Sequence, residues 1–274
     1  ENYDGETEWV THYTAEGLTD YLFSTLPVLG TELPKNMMHS KEDAYANPVL
    51  HITKPGTYSL HGNWKGQIFV DLGDKDDTFA DEKAKVTIVL NGVDVECACA
   101  PAFIAYSAFE CDNTWEEQEN WSNEVDTANA GVRVVLADGS VNSFKGTNIF
   151  RLLKPKYKKE GSTVQKKSHK IDGAFYSFVS MNIDGEDEGS GILNIRSSFG
   201  GLDDELHLTI NGGYINIYAD NDGINVNEDN VSVFTMNGGT LHIFAGLGAE
   251  GDVVDSNGYI VVNGGLIAGV TPSM

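Results

Sequence analysis

The sequence is poor in cysteine and proline and has no long apolar segment. It contains three cysteines and seven prolines in 274 residues, with 30 glycines. So few cysteines give no disulfide framework; one bridge from Cys97 or Cys99 to Cys111 and buried free thiols both stay open. No apolar run approaches the roughly 18–20 residues that cross a bilayer, which argues against membrane insertion. Many glycines with few prolines favour a regular all-β chain with many turns over a disordered chain.

Basic residues are also scarce. Lysine and arginine number 18 against 41 aspartates and glutamates, and the formal net charge is −23. Phosphate would be repelled, which argues against a nucleic-acid or anionic-membrane partner. The charge fits cation binding or solubility in a salty exterior, and we expect a secreted or cell-surface protein. No signal peptide is present, and the chain begins at Glu1 as if already processed.

A repeated Asn-Gly-Gly organises the C-terminal part of the chain. Its asparagines are Asn211, Asn237 and Asn263, spaced 26 and 26 residues apart. Each follows one short segment of alternating apolar residues and precedes another, which is the pattern of strands with one face inward. Asparagine and glycine tolerate the positive φ of a sharp corner, and stacked asparagines can hydrogen-bond from one repeat to the next.

The same pattern occurs upstream with less regular spacing. Asn-Gly or Asp-Gly follows an apolar strand at Asn91, Asp138 and Asp184. A repeat of roughly 22–30 residues with three short strands, apolar inside and polar outside, is a β-solenoid. Leucine-rich repeats would need a helix in each repeat, and the pattern contains none. We therefore predict an all-β solenoid of about eight or nine coils over residues 49–274.

Some segments do not follow the repeat. Residues 1–48 are predicted to form a partly helical N-terminal cap, because three leucines within them follow helical spacing. Insertions are expected near residues 96–130 and 154–170. The last coil stops at Met274 without a capping pattern, so we expect the natural chain to continue.

Acidic and amide side chains repeat in register in the C-terminal coils. Leu202, Ile224 and Val254 align as inward residues, so the residue that follows each of them points outward. These outward residues lie about 4.8 Å apart on neighbouring coils, where like charges repel each other. Calcium takes about six to eight oxygen ligands of this kind, and we predict calcium as a cofactor; a solvated acidic face is the alternative. The predicted ligands are Asp203, Asp204, Asp220, Asp222, Asn225, Asn227, Asp252 and Asp255.

The two insertions carry aromatic and basic residues that can contact a ligand. Trp115 and Trp121 offer amphipathic rings, although aromatic side chains more often pack in a core or over a flank. Lys166, Lys167 and Lys170 belong to a lysine-rich segment in an otherwise acidic protein. These lysines either attract an anionic ligand or dock on the acidic coils beside them.

Several of these segments resemble a known family. Asn-Asp-Gly-Ile-Asn from Asn221 to Asn225, the Asn-Gly-Gly corners, and Ile-Asp-Gly-Ala-Phe-Tyr-Ser from Ile171 to Ser177 resemble the bacterial carbohydrate-binding β-helix family of cellulose-degrading clostridia. That family is similar in fold to the pectate lyases of polysaccharide lyase family 9. The resemblance implies a right-handed parallel β-helix, bound calcium, and affinity for plant cell-wall polysaccharides such as cellulose and pectin-like acidic glycans. Asn221, Asp222 and Asn225 match an Asp-Asp-x-x-Asp calcium corner of the lyases, with amides replacing two acids.

Binding is favoured over catalysis. A polysaccharide lyase needs a lysine or arginine as base beside a calcium-bridged uronate. No lysine occurs over residues 171–274, where the basic residues are Arg196, His207 and His242. Lysines that fold over from the insertion before the Asp203 coil keep the lyase alternative open. We therefore expect an extracellular calcium-containing carbohydrate-binding protein. Its carbohydrate-binding candidates are Trp115, Trp121, Lys166, Lys167 and Lys170. A calcium-dependent pectate lyase and a structural or adhesin-type surface solenoid are the alternatives.

Overall fold

The structure is a computed structural model that describes residues 8–10, 46–111, 122–158, 165–246 and 251–272. Side chains are described over these ranges except at 8–10, 75–76, 149–158 and 165–170. The described chain is all-β with one four-residue helix, which confirms the predicted fold class at that level. The elements are β1 (Glu8–Val10), β2 (Val49–Ile52), β3 (Gly56–Lys65), β4 (Gln67–Asp71), α1 (Lys75–Thr78), β5 (Val86–Glu96), β6 (Phe103–Ser107), β7 (Val132–Leu136), β8 (Val141–Gly146), β9 (Ile149–Lys158), β10 (Gln165–Ile171), β11 (Gly173–Ser177), β12 (Met181–Gly185), β13 (Ile192–Ser197), β14 (Gly200–Asp204), β15 (His207–Ile210), β16 (Tyr214–Ala219), β17 (Ile224–Val226), β18 (Val233–Met236), β19 (Thr240–Phe244), β20 (Val254–Ser256), β21 (Tyr259–Val262) and β22 (Leu266–Val270).

Two large sheets contain most of these strands. One has eight strands in the order β1-β2-β4-β6-β11-β14-β17-β20 and is parallel except for the pair β1–β2. The other has twelve strands, in the order β21-β18-β15-β12-β7-β5-β8-β13-β16-β19-β22, with β3 beside β5. The lysine-rich insertion contributes to a separate antiparallel hairpin of β9 and β10.

The C-terminal coils show the predicted three strands each. Every coil adds one strand to the eight-stranded sheet and two to the twelve-stranded sheet, as in the series β14-β15-β16, β17-β18-β19 and β20-β21-β22. Leu208, Phe234 and Ile260 pair in successive coils, which confirms the predicted column; the first two are buried, and Ile260 in the last described coil is exposed. Alternate residues of each strand therefore face the core between the sheets, and the others face away from it.

The twelve-stranded sheet divides at β5 into two arms. β7 pairs with β5 from Val86 to Leu90, and β8 pairs with it from Asp94 to Glu96. Between these halves, Gly92 has a φ of 82°, a left-handed conformation that glycine adopts without a Cβ clash. The strand bends there, and each later coil makes the corresponding corner between two separate strands.

The predicted asparagine column is a continuous hydrogen-bond ladder. Nδ2 of Asn237 donates to Oδ1 of Asn211 at 2.8 Å, and Nδ2 of Asn263 donates to Oδ1 of Asn237 at 2.8 Å. Asn211 in turn donates to Oδ1 of Asp184 at 2.7 Å, and Oδ2 of Asp184 accepts from Nε of Arg133 at 2.5 Å. Coil-to-coil hydrogen bonding of the asparagines is thus confirmed, and the ladder ends on an ion pair.

Aromatic rings fill the middle of the core. Phe103 stacks on Phe175 with 4.3 Å between ring centroids, and Phe144 meets Phe175 edge-on at 5.1 Å. All three side chains are fully buried. Each ring comes from a different strand, β6, β8 or β11, so this cluster joins the two sheets across the core.

The three cysteines are free thiols, so the alternative of a disulfide bridge is not realised. Cys97 and Cys99 are buried, and Cys111 is half-buried. A hydrogen bond from the Cys99 side chain lowers the pKa of the Cys97 thiol, with burial acting in the opposite direction.

The glycine corners generate a prediction about stability. Gly239 has a φ of 80°, and a Cβ there would lie 2.7 Å from the main-chain oxygen of Gly213. Gly62 has a φ of 88° but faces open space. We expect Gly62→Ala to lower the free energy of unfolding by about 1–2 kcal/mol through its left-handed backbone alone. Gly239→Ala should cost about 1–3 kcal/mol more because of the close contact. Equal losses in urea unfolding would contradict the role of that contact.

Candidate functional site

Three of the predicted calcium ligands form a column on the eight-stranded sheet. Asp203 on β14 pairs with Asn225 on β17, which pairs with Asp255 on β20. We call these three residues the acidic column. They alternate with inward residues along their strands, yet Asp203 is only 1% exposed and Asn225 only 7%. At these two positions the column is therefore buried, unlike the solvated acidic face that was the alternative interpretation.

The oxygen atoms of the acidic column offer a partial cation site. Asp203 accepts from the main-chain N–H of Asp172 at 3.3 Å and from the side-chain amide of Asn227. Oδ1 of Asn225 is buried and accepts no hydrogen bond from any described residue. A buried amide oxygen next to a carboxylate suits a hard cation such as calcium. The described residues contain no cluster of three or more His, Cys, Asp or Glu side chains arranged around a metal, and calcium stays a prediction.

Asp204 lies on the other side of β14, in the core. It occupies an inward column with Ser177 and Val226 and is fully buried. Its Oδ1 accepts the N–H of Leu206 at 2.9 Å. Burial raises the pKa of this carboxyl well above its usual range, and the negative charges of Glu110, Asp203 and Glu205 act in the same direction. Because Asp203 and Asp204 point to opposite faces of the strand, the structure separates them rather than directing both to one ion.

The remaining predicted ligands are spread over two further places. Oδ1 of Asp222 accepts the main-chain N–H of Asp252 at 2.8 Å, so this pair braces two successive corners. Oδ2 of Asp222 accepts from Asn221 at 3.0 Å. Asp220 instead lines a groove beside the twelve-stranded sheet. Their role as metal ligands stays a prediction.

The predicted sugar contacts fall in two places, the antiparallel hairpin and the chain outside the described residues. Trp115 and Trp121 are outside the described residues. Lys166, Lys167 and Lys170 belong to β10 of the antiparallel hairpin, whose backbone pairing is described. Their role in binding stays a prediction.

The basic residues considered for lyase chemistry do not lie in the strands of the acidic column. Arg196 belongs to β13 and His242 to β19, both in the twelve-stranded sheet. His207 is buried, and its Nδ1 accepts the main-chain N–H of Val233 at 3.1 Å. Within the described residues, none of these three bases shares a strand with the acidic column, so the structure adds no support to the lyase alternative.

A row of outward side chains crosses the second arm of the twelve-stranded sheet. Lys145 on β8, Arg196 on β13, Tyr218 on β16 and Phe244 on β19 pair in register. We call these four residues the Arg196 row. Because each sits at an outward position of a parallel strand, their side chains project from the sheet at intervals of about 4.8 Å.

Contacts within the Arg196 row hold its side chains in place. The rings of Tyr218 and Phe244 stack with 5.3 Å between centroids and an angle of 8°. The Arg196 guanidinium carbon lies 5.3 Å from the Tyr218 centroid, a cation–π contact. Nζ of Lys145 lies 2.5 Å from Oε1 of Glu96, and that hydrogen bond and positive charge lower the pKa of Glu96. Arg196 forms no ion pair with any residue in the described part of the chain.

A groove of about 350 Å³ runs along the basic end of this row. Its walls combine the two cations and the Tyr218 ring with hydroxyl groups and acids. The further lining residues include Glu96, Thr147, Ser198 and Asp220. An aromatic ring, a guanidinium and several hydroxyl and carboxylate groups around one groove are suited to a polyhydroxylated ligand.

The exposed apolar side chains concentrate on the same face. Eight large hydrophobic residues are exposed among the described residues, and six of them lie on this arm. Between two apolar rows, Asn216 donates to Asn194 at 2.9 Å, and Nδ1 of His242 is 3.2 Å from Oδ1 of Asn216. An apolar surface of this kind marks a binding face. The six residues are Val141, Tyr214, Tyr218, Phe244, Leu266 and Val270.

Sequence reasoning missed the Arg196 row because it weighed tryptophans and lysine clusters one segment at a time. The available signal was the repeat itself. Arg196, Tyr218 and Phe244 are spaced 22 and 26 residues apart, at outward positions of the third strand of successive coils. Side chains at equivalent positions of successive solenoid coils can be aligned from the repeat alone.

A family model described as "Carbohydrate-binding domain-containing protein" matches residues 46–271. The chain belongs to this carbohydrate-binding domain family. The match covers every coil that carries the acidic column and the Arg196 row. No curated protein matches the chain.

One solved structure is similar to this member of the carbohydrate-binding domain family. It is described as the polysaccharide lyase-like protein from C. thermocellum, in a gadolinium derivative. The two chains are 22% identical over 86% of this chain and 92% of the other, with a TM-score of 0.43. Within the described residues, no helix is long and apolar enough to cross a membrane.

The buried carboxyl of Asp204 predicts a pH dependence of stability. A folded-state pKa above the unfolded value means that the native state keeps a proton that the unfolded state has released. Stability should therefore fall as pH rises above the ordinary aspartate range, by up to about 1.4 kcal/mol per pH unit, until the folded-state pKa is passed. Asp204→Asn keeps an acceptor for Leu206 and has no such loss, so its unfolding free energy should decline less with pH. Urea unfolding between mildly acidic and neutral pH, with a chelator present, measures the unfolding free energy of the parent and of Asp204→Asn. Equal slopes of the two free energies against pH would contradict the raised pKa of Asp204.

Proposed function

We propose that this protein is a secreted or cell-surface binding protein that holds plant cell-wall polysaccharide along the Arg196 row and its groove. Membership of the carbohydrate-binding domain family supports the general class of ligand. The observation that carries the site is the Arg196 guanidinium, held over the Tyr218 ring with no ion-pair partner among the described residues. A guanidinium in that state is prepared to bind a carboxylate.

The chemistry of the groove favours acidic, pectin-like chains. Arginine binds a carboxylate through two parallel hydrogen bonds, and its stacking on Tyr218 limits the side-chain freedom lost on binding. Lys145, the neighbour of Arg196 across the strands, already pairs with Glu96, whereas Arg196 has no carboxylate partner among the described residues. The carboxylate of an acidic sugar would supply that partner. In a protein with a net charge of −23, this guanidinium gives an acidic chain a place to dock.

The rest of the face supplies contacts that do not depend on charge. Tyr218 and Phe244 are 40% and 37% exposed and offer apolar surface against which a sugar ring can pack. Asn194, Asn216 and His242 form a polar line beside them that can bond to sugar hydroxyls. A polysaccharide lying across the strands meets the cations at one end of the Arg196 row and the aromatic rings at the other.

Calcium is the proposed structural cofactor of the acidic column. Asp203 and Asn225 would be the ligands, with Asp255 next to them in register and Asn227 hydrogen-bonded to Asp203. When bound, the ion would neutralise a buried carboxylate and supply a partner for the buried amide oxygen of Asn225. The motif that resembles the lyase corner supports this choice of metal.

The direction in which the coils wind is part of the same proposal. We propose that the coils wind as a right-handed parallel β-helix. Parallel strands joined by a crossover within one sheet are connected in the right-handed sense in about 98% of cases. The stacked sheets described above are compatible with that winding.

Replacing Arg196 tests the proposed groove. Arg196→Gln should weaken binding of a galacturonate oligosaccharide by about tenfold or more, because a charge-assisted hydrogen bond contributes roughly 1.5–3 kcal/mol. Lys83→Gln removes the same charge at an exposed position outside the groove and should leave affinity nearly unchanged. Calorimetric titration measures both variants and the parent. Equal affinities of all three would reject the Arg196 groove as the binding site.

Calcium binding at the acidic column is tested by thermal unfolding. A ligand that binds only the folded state stabilises it by roughly 3–4 kcal/mol at about 100–1,000 times its dissociation constant. Calcium should therefore raise the melting temperature of the parent, and Asp203→Asn should remove most of that rise. Asp187→Asn removes an exposed carboxylate at another corner and should respond to calcium like the parent. A parent whose melting temperature ignores both calcium and chelation would contradict structural calcium.

A further inference from the structure

A second pocket opens on the eight-stranded sheet, away from the Arg196 row. Its volume is about 630 Å³, and it lies beside β2, β4 and β6. It shares no lining residue with the groove on the twelve-stranded sheet. The residues that define it are His51, Thr53, Asp71, Gly73, Asp74 and Tyr106. We call it the Asp71 pocket.

The carboxylate of Asp71 is held in a fixed position at the floor of this pocket. Its Oδ1 accepts the hydroxyl of Ser107 at 2.7 Å and the main-chain N–H of Gly73 at 3.2 Å. Its Oδ2 lies 3.7 Å from Nε2 of His51. Burial alone would raise the pKa of Asp71, but these hydrogen bonds and the neighbouring imidazole hold it below its usual value. The Asp71 carboxylate is therefore an anionic acceptor. Protein donors hold its Oδ1, and the side chain lines the pocket.

An aromatic wall stands next to this carboxylate. Tyr106, which lines the pocket, stacks on Phe69 with 5.6 Å between centroids and an angle of 24°. His51 packs against the other side of Phe69 at 5.5 Å, and Phe178 packs against Tyr106 at 5.8 Å. These neighbours restrain the Tyr106 ring, so a ligand meets a surface that is already ordered.

A fixed carboxylate beside an ordered ring in an open pocket matches the chemistry of a sugar. Sugar hydroxyls donate to a carboxylate, while the carbon–hydrogen face of the ring packs on an aromatic side chain. The charge of the pocket then selects among sugars. Asp71 and Asp74 both line it, so a uronate would be repelled whereas a neutral glycosyl residue would not.

We infer that the Asp71 pocket is a second glycan-binding site, specific for a neutral glycosyl residue and separate from the Arg196 groove. This inference rests on the proposed carbohydrate-binding function. The Asp71 pocket is lined by two carboxylates and no lysine or arginine, whereas the Arg196 groove contains two cations beside its two acids, and the two sites lie on different sheets. One molecule can then hold a neutral chain and an acidic chain at the same time.

Calorimetric titration of the 274-residue chain with cellohexaose, xylohexaose, mannohexaose and hexagalacturonate tests the second site. Asp71→Asn keeps an oxygen that can accept from Ser107 and Gly73 but removes the charge. It should weaken binding of a neutral hexasaccharide by about tenfold or more. Asp77→Asn removes an exposed charge on α1 outside the pocket and should have no effect. Tyr106→Ala should also weaken neutral binding, and all three variants should bind hexagalacturonate like the parent.

The outcomes separate this inference from the proposed function. The second site is overturned if no neutral hexasaccharide binds the parent, or if neutral binding survives both Asp71→Asn and Tyr106→Ala. It is also overturned if neutral binding is lost in Arg196→Gln instead, because one groove then serves both ligands. Neutral binding that depends on Asp71 in a parent that fails to bind hexagalacturonate supports the second site and rejects the Arg196 groove alone.

Discussion

Main-chain hydrogen bonds between parallel strands fix the register of successive coils, and the other features depend on that register. The N–H of Asn237 donates to the carbonyl of Ile210, and the N–H of Asn263 donates to that of Met236, each at 2.8 Å. Each residue therefore lies above its counterpart in the previous coil, about 4.8 Å away. Any chemical group that recurs at one position of the repeat becomes a column. The amide ladder, the acidic column and the Arg196 row are three results of this one constraint.

The parts of the structure that could be predicted were those decided locally. The Asn-Gly-Gly corners and the inward column of Leu208 follow from turn chemistry and alternation, which a single chain segment displays. The burial of Asp203 could not be read in this way, because alternation tells which face a side chain leaves but not what covers that face. Asp204 follows Asp203 directly in the sequence, but the alternation of side chains along β14 turns it into the core. The Arg196 row needed three coils to be compared at once.

Opposite charges are distributed unevenly over the molecule, and this unevenness gives its surfaces different chemistry. Arg133 and Lys145 each pair with a carboxylate, at Asp184 and Glu96 respectively. Arg196 instead faces an aromatic ring. In a chain with a net charge of −23, such a guanidinium is a place where an anion can bind without displacing a carboxylate of the protein. The Asp71 pocket lies on a different sheet and keeps the negative sign of the molecule.

The asparagine ladder has a direction as well as a position. Every amide in it donates toward Asp184, and Asn211 and Asn237 also accept from the coil that follows, so the positive ends of all three amide dipoles point at one carboxylate. Dipoles aligned in this way polarise each other, and each bond strengthens the next. The Asp184 carboxylate, oriented by Arg133, therefore acts on Asn263 without touching it. The stack is electrically polar along its axis. Each coil after the first amide adds its own amide to a row of dipoles that are already aligned.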